Sequence, residues 1–438
     1  MQRIDALICP RWTIRVAPGA FVEHDLAVAV DDGRIVAILP EREATESFSP
    51  VARHDRPGHV LLPGLVNAHC HAGMTLLRGY GEGLPLERWL SERIWPAEGR
   101  WVSREFVADG TRLGIAEMLR GGVTCFSDMY YFPDVVGEAA LECGIRAVLG
   151  MIALDAPTPW AATPEEYIHK GLAVHDRFKG EPLITTTFAP HAPYTVGDAT
   201  LRRIRQLADE LDVPVHTHLH ETVSEVADAV AATGRRPLER LAELGLVTPA
   251  LIGVHATQLT DADIACLAES GASIVHCPRS NMKLASGGCR VAALRSAGVN
   301  VALGTDSAAS NNRLDMWSEL QQAALLANHV AQSATALSAA AAIEMATIDG
   351  ARALNRADEI GSLVPGKAAD LVCVRLEDLA HEPVLDPLAA LVYSAARTDV
   401  TDVWVAGEHL VAGGEHTRID TNALVGAARQ WGERLVRE

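Results

Sequence analysis

No run of apolar residues in this 438-residue chain approaches the length of a membrane span, which argues against a helical membrane protein. The opening MQRIDALICPRW lacks the basic start, apolar middle and small-residue cleavage site of a signal peptide, so a cytoplasmic protein is expected. Basic clusters are also missing. Lys and Arg number 38 against 56 Asp and Glu, and the resulting formal charge of -18 is spread along the chain, which disfavours nucleic acid and anionic membrane surfaces as partners. Solubility accounts for that excess. There is no Cys-x-x-Cys pair, and several of the eight cysteines (Cys9, Cys70, Cys125, Cys143, Cys266, Cys277, Cys289, Cys373) sit in strand-like segments, as buried free thiols do. Internal repeats and low-complexity tracts are absent. What is left, 48% hydrophobic, can bury a large core and exceeds the usual size of one compact domain, so one large domain and a smaller one are expected.

Short β-rich segments alternate with amphipathic helical ones in regular order. The strand candidates are LLPGLVNAH (61 to 69), VTCFSDM (123 to 129), IRAVLGMI (145 to 152), LITTTFAPH (183 to 191), PVHTHLHE (214 to 221), LIGVHAT (251 to 257), ASIVHCP (272 to 278) and NVALGTD (300 to 306). Between them, stretches such as ATLRRIRQLADELD and TDADIACLAESG repeat apolar residues at three and four and end near Gly or Asp. Eight strands separated by helices predict an α/β fold, a (β/α)8 TIM barrel with its chemistry at the C-terminal strand ends. Outside it the pattern changes to alternating strands joined by Asp-Gly or Gly-rich turns, as in DLAVAVDDGRIVAILP and VTDVWVAGEHLVAGGE. Neither end suffices alone. Residues 1–58 and 359–438 are therefore expected to pair into one small β-sandwich domain, beside a barrel over 59–358.

The stretch GLVNAHCHAG ends a strand on His69 and His71, which alternation sends to the same side. Such a pair can grip a metal ion, although it also occurs on solvated loops, so it needs partners. The fifth strand alternates His216, His218 and His220, followed by Glu221; the sixth ends on His255, the seventh carries His276, and the eighth closes on Asp306. Any one of these reads well as a hydrogen-bonded core histidine or a loop-capping aspartate. Jointly they do not, because strands one, five, six and eight all deliver ligand-type residues to the same end of a barrel.

GLVNAHCHAGMTLLRG, THLHE, GVHATQL, HCPRSNMKL and GTDSAASNN resemble the signature segments of the amidohydrolase superfamily, in the branch of 5'-methylthioadenosine and S-adenosylhomocysteine deaminases and related chlorohydrolases. The resemblance spans nearly the whole chain and is specific for the superfamily more than for the substrate. It implies His69, His71, His218 and Asp306 as metal ligands, with His255 close to the metal and its water. Three neutral imidazoles and a carboxylate leave room for a water, whose pKa a divalent cation lowers toward neutrality. Binuclear members use a strand-four lysine, which LITTTFAPH lacks, so one ion per chain is expected; zinc fits nitrogen-rich ligation best, while iron or manganese tolerates the same set.

The activity implied is hydrolytic deamination of an adenine nucleoside. Glu221 would protonate the ring nitrogen, Asp306 take the water proton and His255 orient the attacking oxygen; Glu221 could instead cap the following helix. Glu98 matches the glutamate that grips the ribose hydroxyls, or is a solvated helix residue, and His191 matches a histidine touching purine or ribose. Trp89 and Trp95 could wall the thioether side or simply pack the loop. Relatives that accept S-adenosylhomocysteine hold its carboxylate with arginine, whereas near the end of strand three this chain has Met151, which favours 5'-methylthioadenosine or adenosine. The alternatives are another ring hydrolase acting on a purine, pterin or triazine, and an inactive barrel used as a structural subunit. The expected partner is a small nucleoside; a homo-oligomer is compatible with the resemblance, and composition does not address it.

Overall fold

A computed structural model describes residues 1–436. The chain begins with β1 (Gln2–Ile14), β2 (Val22–His24), β3 (Leu26–Asp31), β4 (Arg34–Pro40) and β5 (Phe48–Pro63), where β1 runs parallel to β5 and antiparallel to β3. The β3–β4 turn takes positive φ at Asp32 and Gly33, the backbone that matches strand twist in a two-residue hairpin.

Eight strands follow, each entirely or almost entirely buried: β6 (Leu65–Cys70), β7 (Val123–Asp128), β8 (Arg146–Ala153), β9 (Ile184–Pro190), β10 (Val215–Leu219), β11 (Leu251–His255), β12 (Ser273–His276) and β13 (Asn300–Leu303). They pair in parallel and in sequence order. Helices such as Asp198–Leu211 and Asp261–Ser270, both expected from their periodicity, cover the outside; the second is capped by Thr260 and stopped at Gly271. The ring closes between β6 and the end of β13. There Asp306 N donates to His69 O at 3.0 Å, and the Asn67 side chain brackets Thr305 at 2.8 and 3.0 Å. Gly304 makes this approach feasible, since a Cβ there would lie 2.9 Å from the Cβ, N and O of His69.

The chain then returns through β14 (Leu371–Arg375), β15 (Val400–Val405), β16 (Glu408–Ala412) and β17 (Glu415–His416) to the sheet it started. β14 pairs antiparallel with β5, so the N- and C-terminal segments share one nine-stranded mixed sheet. The strand expected over 61 to 69 is divided: Leu61–Pro63 pairs with β14, the chain bends at Gly64, and only Leu65 onward enters the barrel. Residues 59–63, expected in the barrel, therefore lie in the terminal sheet. A side chain at Gly64 would collide with Thr124 of β7. Among the described residues, no helix is long and apolar enough to cross a membrane.

Candidate active site

His69 near the end of β6 and His71 just beyond it hold their rings 4.8 Å apart. His218 reaches across from β10 to within 5.0 and 5.5 Å of them, and His255 from β11 stacks 5.4 Å from His218. Asp306 completes the group, its Oδ1 lying 3.1 Å from His71 Nε2 and 3.6 Å from His69 Nε2. His255 and Asp306 both take the left-handed backbone, φ 74° and 58°, which turns them at the strand ends. For residues other than glycine that conformation costs roughly 1 to 3 kcal/mol each and collects at functional sites.

Two sets, His69 with His71 and His218, and His69 with His255 and Asp306, have donor atoms within 4.8 Å of one another. Burial pushes His69 down to about 4 and His218 well below the usual imidazole range, so these rings are neutral with lone pairs to offer. Burial opposes ionisation of Asp306, but His69 and His71 outweigh it and hold its carboxyl well below the ordinary range. His69 Nε2 is buried with no hydrogen-bond partner. Burial disfavours the charged form of His71 as well, but the neighbouring Asp306 carboxylate outweighs it and raises that ring. Imidazoles gathered around an anionic carboxylate, with an orphaned buried nitrogen among them, fit a divalent cation such as zinc, which would take the place of the His71 proton. Outer contacts orient the set: His71 Nδ1 donates to Met129 O, His218 Nδ1 to His191 O at 2.7 Å and His255 Nδ1 to Asn281 Oδ1 at 2.8 Å. Ser280 and Ser310 donate to Asp306 Oδ2 at 2.5 and 2.6 Å.

A cavity opens over this cluster. Glu221 lines it, with Oε1 3.7 Å from His255 Nε2. Burial, reinforced by the charges of Asp306 and Glu225, holds its carboxyl well above the ordinary range. Glu221 is not the cap of the next helix. Thr222 is, while Glu225 turns back to accept from the Glu221 and His220 amides, which leaves the Glu221 carboxyl free for the cavity. Glu98, on the helix Trp95–Trp101, is buried in the same cavity rather than solvated. Burial pushes it up to about 7, with Tyr130 and Tyr131 favouring its charged form.

Residues 60–410 match the amidohydrolase family. The chain belongs to it. Among relatives of this amidohydrolase, a 5-methylthioadenosine/S-adenosylhomocysteine deaminase from Teredinibacter turnerae is 49% identical over 432 residues, which is 99% of this chain and 98% of its own. An adenosine deaminase from Xanthomonas campestris, solved with bound zinc, is 52% identical and aligns over 100% of both chains with a TM-score of 0.99. An atrazine chlorohydrolase from Arthrobacter aurescens, also solved with zinc, aligns over 97% of this chain and 99% of its own with a TM-score of 0.91; at 23% identity that likeness is one of fold.

Of the residues singled out from the sequence of this amidohydrolase, His71, His218, His255, Asp306, Glu221, Glu98, His191, Trp89 and Trp95 line one cavity, and His69, fully buried, packs against His71 and His218. Trp89 also packs its loop, donating through Nε1 to Tyr80 O at 3.2 Å. His216, His220 and His276 are buried but do not line the cavity, and neither does Met151. Its side chain lies against Gly171 of the helix Pro164–Arg177, where an added Cβ would meet Met151 Cβ at 2.9 Å. The next residue, Ile152, faces the cavity instead, together with Leu154. Tyr130, Tyr131, Ser280 and Ser310 were not anticipated, since hydroxyl-bearing residues just beyond strand ends carry no spacing that marks them.

Proposed function

We propose that this amidohydrolase releases ammonia from the adenine ring of a nucleoside, with 5'-methylthioadenosine the favoured substrate and adenosine or S-adenosylhomocysteine the next candidates. One divalent ion, zinc by its donor set, would be held by His69, His71, His218 and Asp306. The observation that carries this proposal is a buried carboxyl, Glu221, in the same cavity as that donor set and a second buried carboxyl, Glu98. The relatives named above as deaminases support it.

When bound, the ion supplies Lewis acidity that lowers the pKa of water toward neutrality. The chain's own groups do the rest. Water adds its oxygen to the carbon bearing the amino group, that amino group leaves as ammonia, and protons must move to the ring and to the leaving nitrogen. Glu221 gives its proton to the adjacent ring nitrogen, Asp306 takes one proton of the water and passes it to the leaving amino group, and the remaining hydroxyl proton returns to Glu221 as the carbonyl forms. His255, its Nδ1 committed to Asn281, presents Nε2 to orient the water. Glu98 accepts from the ribose hydroxyls. His191, fixed through Nδ1 to Thr195 Oγ1 at 3.0 Å, contacts purine or ribose with its other edge. No lysine or arginine is among the described residues lining the cavity to pair with a substrate carboxylate, while Ile152 and Leu154 add apolar wall to it. That favours the uncharged thioether.

Ammonia release by zinc-loaded protein, measured over 5'-methylthioadenosine, adenosine, S-adenosylhomocysteine, guanine, a pterin and an aminotriazine, tests this directly. Turnover of the adenine nucleosides is expected; turnover confined to guanine, the pterin or the triazine would overturn it.

A further inference from the structure

His216 has no part in the chemistry above, yet it is completely buried on β10 two residues before His218 and on the same inward face. Its Nε2 lies 3.1 Å from His69 Nδ1, and its Nδ1 lies 3.3 Å from Ser127 Oγ on β7. The other rings of the cluster rest on oxygen: His71 on the Met129 carbonyl, His218 on the His191 carbonyl, His255 on the Asn281 amide oxygen. Such an oxygen can only accept, so it draws the ring hydrogen to Nδ1 and leaves Nε2 bare. His69 has no oxygen there. Its Nδ1 faces an imidazole nitrogen, which accepts in one tautomer and donates in the other.

If His69 is to offer Nε2 to a cation, its hydrogen must sit on Nδ1 and point at a bare His216 Nε2. The single hydrogen of a neutral His216 ring must then lie on Nδ1, toward Ser127 Oγ. With His216 in the opposite tautomer, two N–H groups would oppose each other at 3.1 Å, or His69 would turn its own hydrogen toward the place of the ion. We propose that His216 is a positioning residue that fixes the tautomer and orientation of His69, with Ser127 Oγ placed to accept from His216 Nδ1 in the matching form. This rests on the assignment of His69 as a metal ligand. One hydrogen order therefore runs from Ser127 through two rings to the centre of the site.

Imidazole nitrogen shifts of full-length, zinc-loaded wild-type protein carrying 15N-histidine report the tautomer, His216 being identified by the resonances missing from His216→Gln. His216 is expected as the Nδ1–H form with Nε2 bare; the Nε2–H form overturns the proposal. Zinc affinity, read by chelator competition, gives a second arm. His216→Phe keeps a ring but removes the acceptor and should weaken zinc about 10- to 100-fold. His216→Gln, whose Oε1 can replace the lost Nε2, should recover most of that. A His216→Phe protein that binds zinc as tightly as wild type, or a His216→Gln protein as weak as His216→Phe, overturns the proposal. His69→Ala separates the two ideas. If it keeps its zinc, the ligand assignment fails; if it loses zinc while His216→Phe does not, only the role of His216 fails.

Discussion

Glu221 and Glu98 are both pushed toward protonation by burial in one cavity, yet the proposed reaction asks opposite things of them. Glu221 must keep a proton to give away. Glu221→Gln keeps the shape and cannot act as an acid, so it should retain zinc by elemental analysis and lose about 100-fold or more in kcat. Normal turnover by that variant would remove Glu221 as the donor. Glu98 must instead be ionised to accept from two hydroxyls, and with its carboxyl raised to about 7 its ionised fraction grows as pH rises through neutrality. For ribonucleosides, kcat/KM should therefore climb between about pH 6 and 8, and Glu98→Gln should flatten that step. Removing the 2'-hydroxyl should cost about 1 to 3 kcal/mol by leaving a buried carboxylate short of a partner. A pH profile unchanged in Glu98→Gln would show that the residue does not face the ribose. The grouping of His71, His218, His255, Asp306 and Glu221 in one cavity was legible because polar side chains at strand ends stand out against apolar neighbours, whereas Glu98, on a helix, was singled out through the family resemblance. Met151 was misread for the converse reason: β8 is buried along its whole length, so no polar face labels which alternate residues point inward.

Between elements, one glycine and one ion pair set how the strands meet. Gly304 lets β13 touch β6 where His69 and Asp306 converge, so Gly304→Ala should force them apart at a cost of about 1 to 3 kcal/mol, and zinc bound per chain should fall. Full zinc occupancy in Gly304→Ala would mean the ring absorbs the extra carbon elsewhere. Arg146 of β8 and Asp370, just before β14, are bonded at 2.8 Å with almost no exposure, tying the barrel to the terminal sheet. Arg146→Ala strands a buried carboxylate and should destabilise the protein by about 3 to 5 kcal/mol, seen as a lowered thermal midpoint. An unchanged midpoint would show that the pair carries nothing. The periodic helices and seven of the eight barrel strands could be read from sequence, because a helical period and a short β-rich apolar run are both local signals. The break at Gly64 could not: it depends on β14, some 300 residues away, claiming the end of β5.

For the whole molecule, the proposed ligand cluster draws on strands from opposite sides of the barrel, so an ion held there by the folded chain alone must stabilise all of it. Adding zinc to metal-stripped protein at about 100 to 1,000 times its dissociation constant should contribute about 3 to 4 kcal/mol and raise the thermal midpoint, and His69→Ala should abolish that rise. Equal shifts in both proteins would place the stabilising ion elsewhere. The shared terminal sheet has a different consequence, one of time. On a ribosome adding about 5 to 20 residues per second, the roughly 300 residues between β5 and β14 take on the order of 15 to 60 s to emerge. Throughout that interval the nascent chain holds out a hydrogen-bonding edge of β5 whose proper neighbour has not yet been made, open to any other strand or to a chaperone that reaches it first.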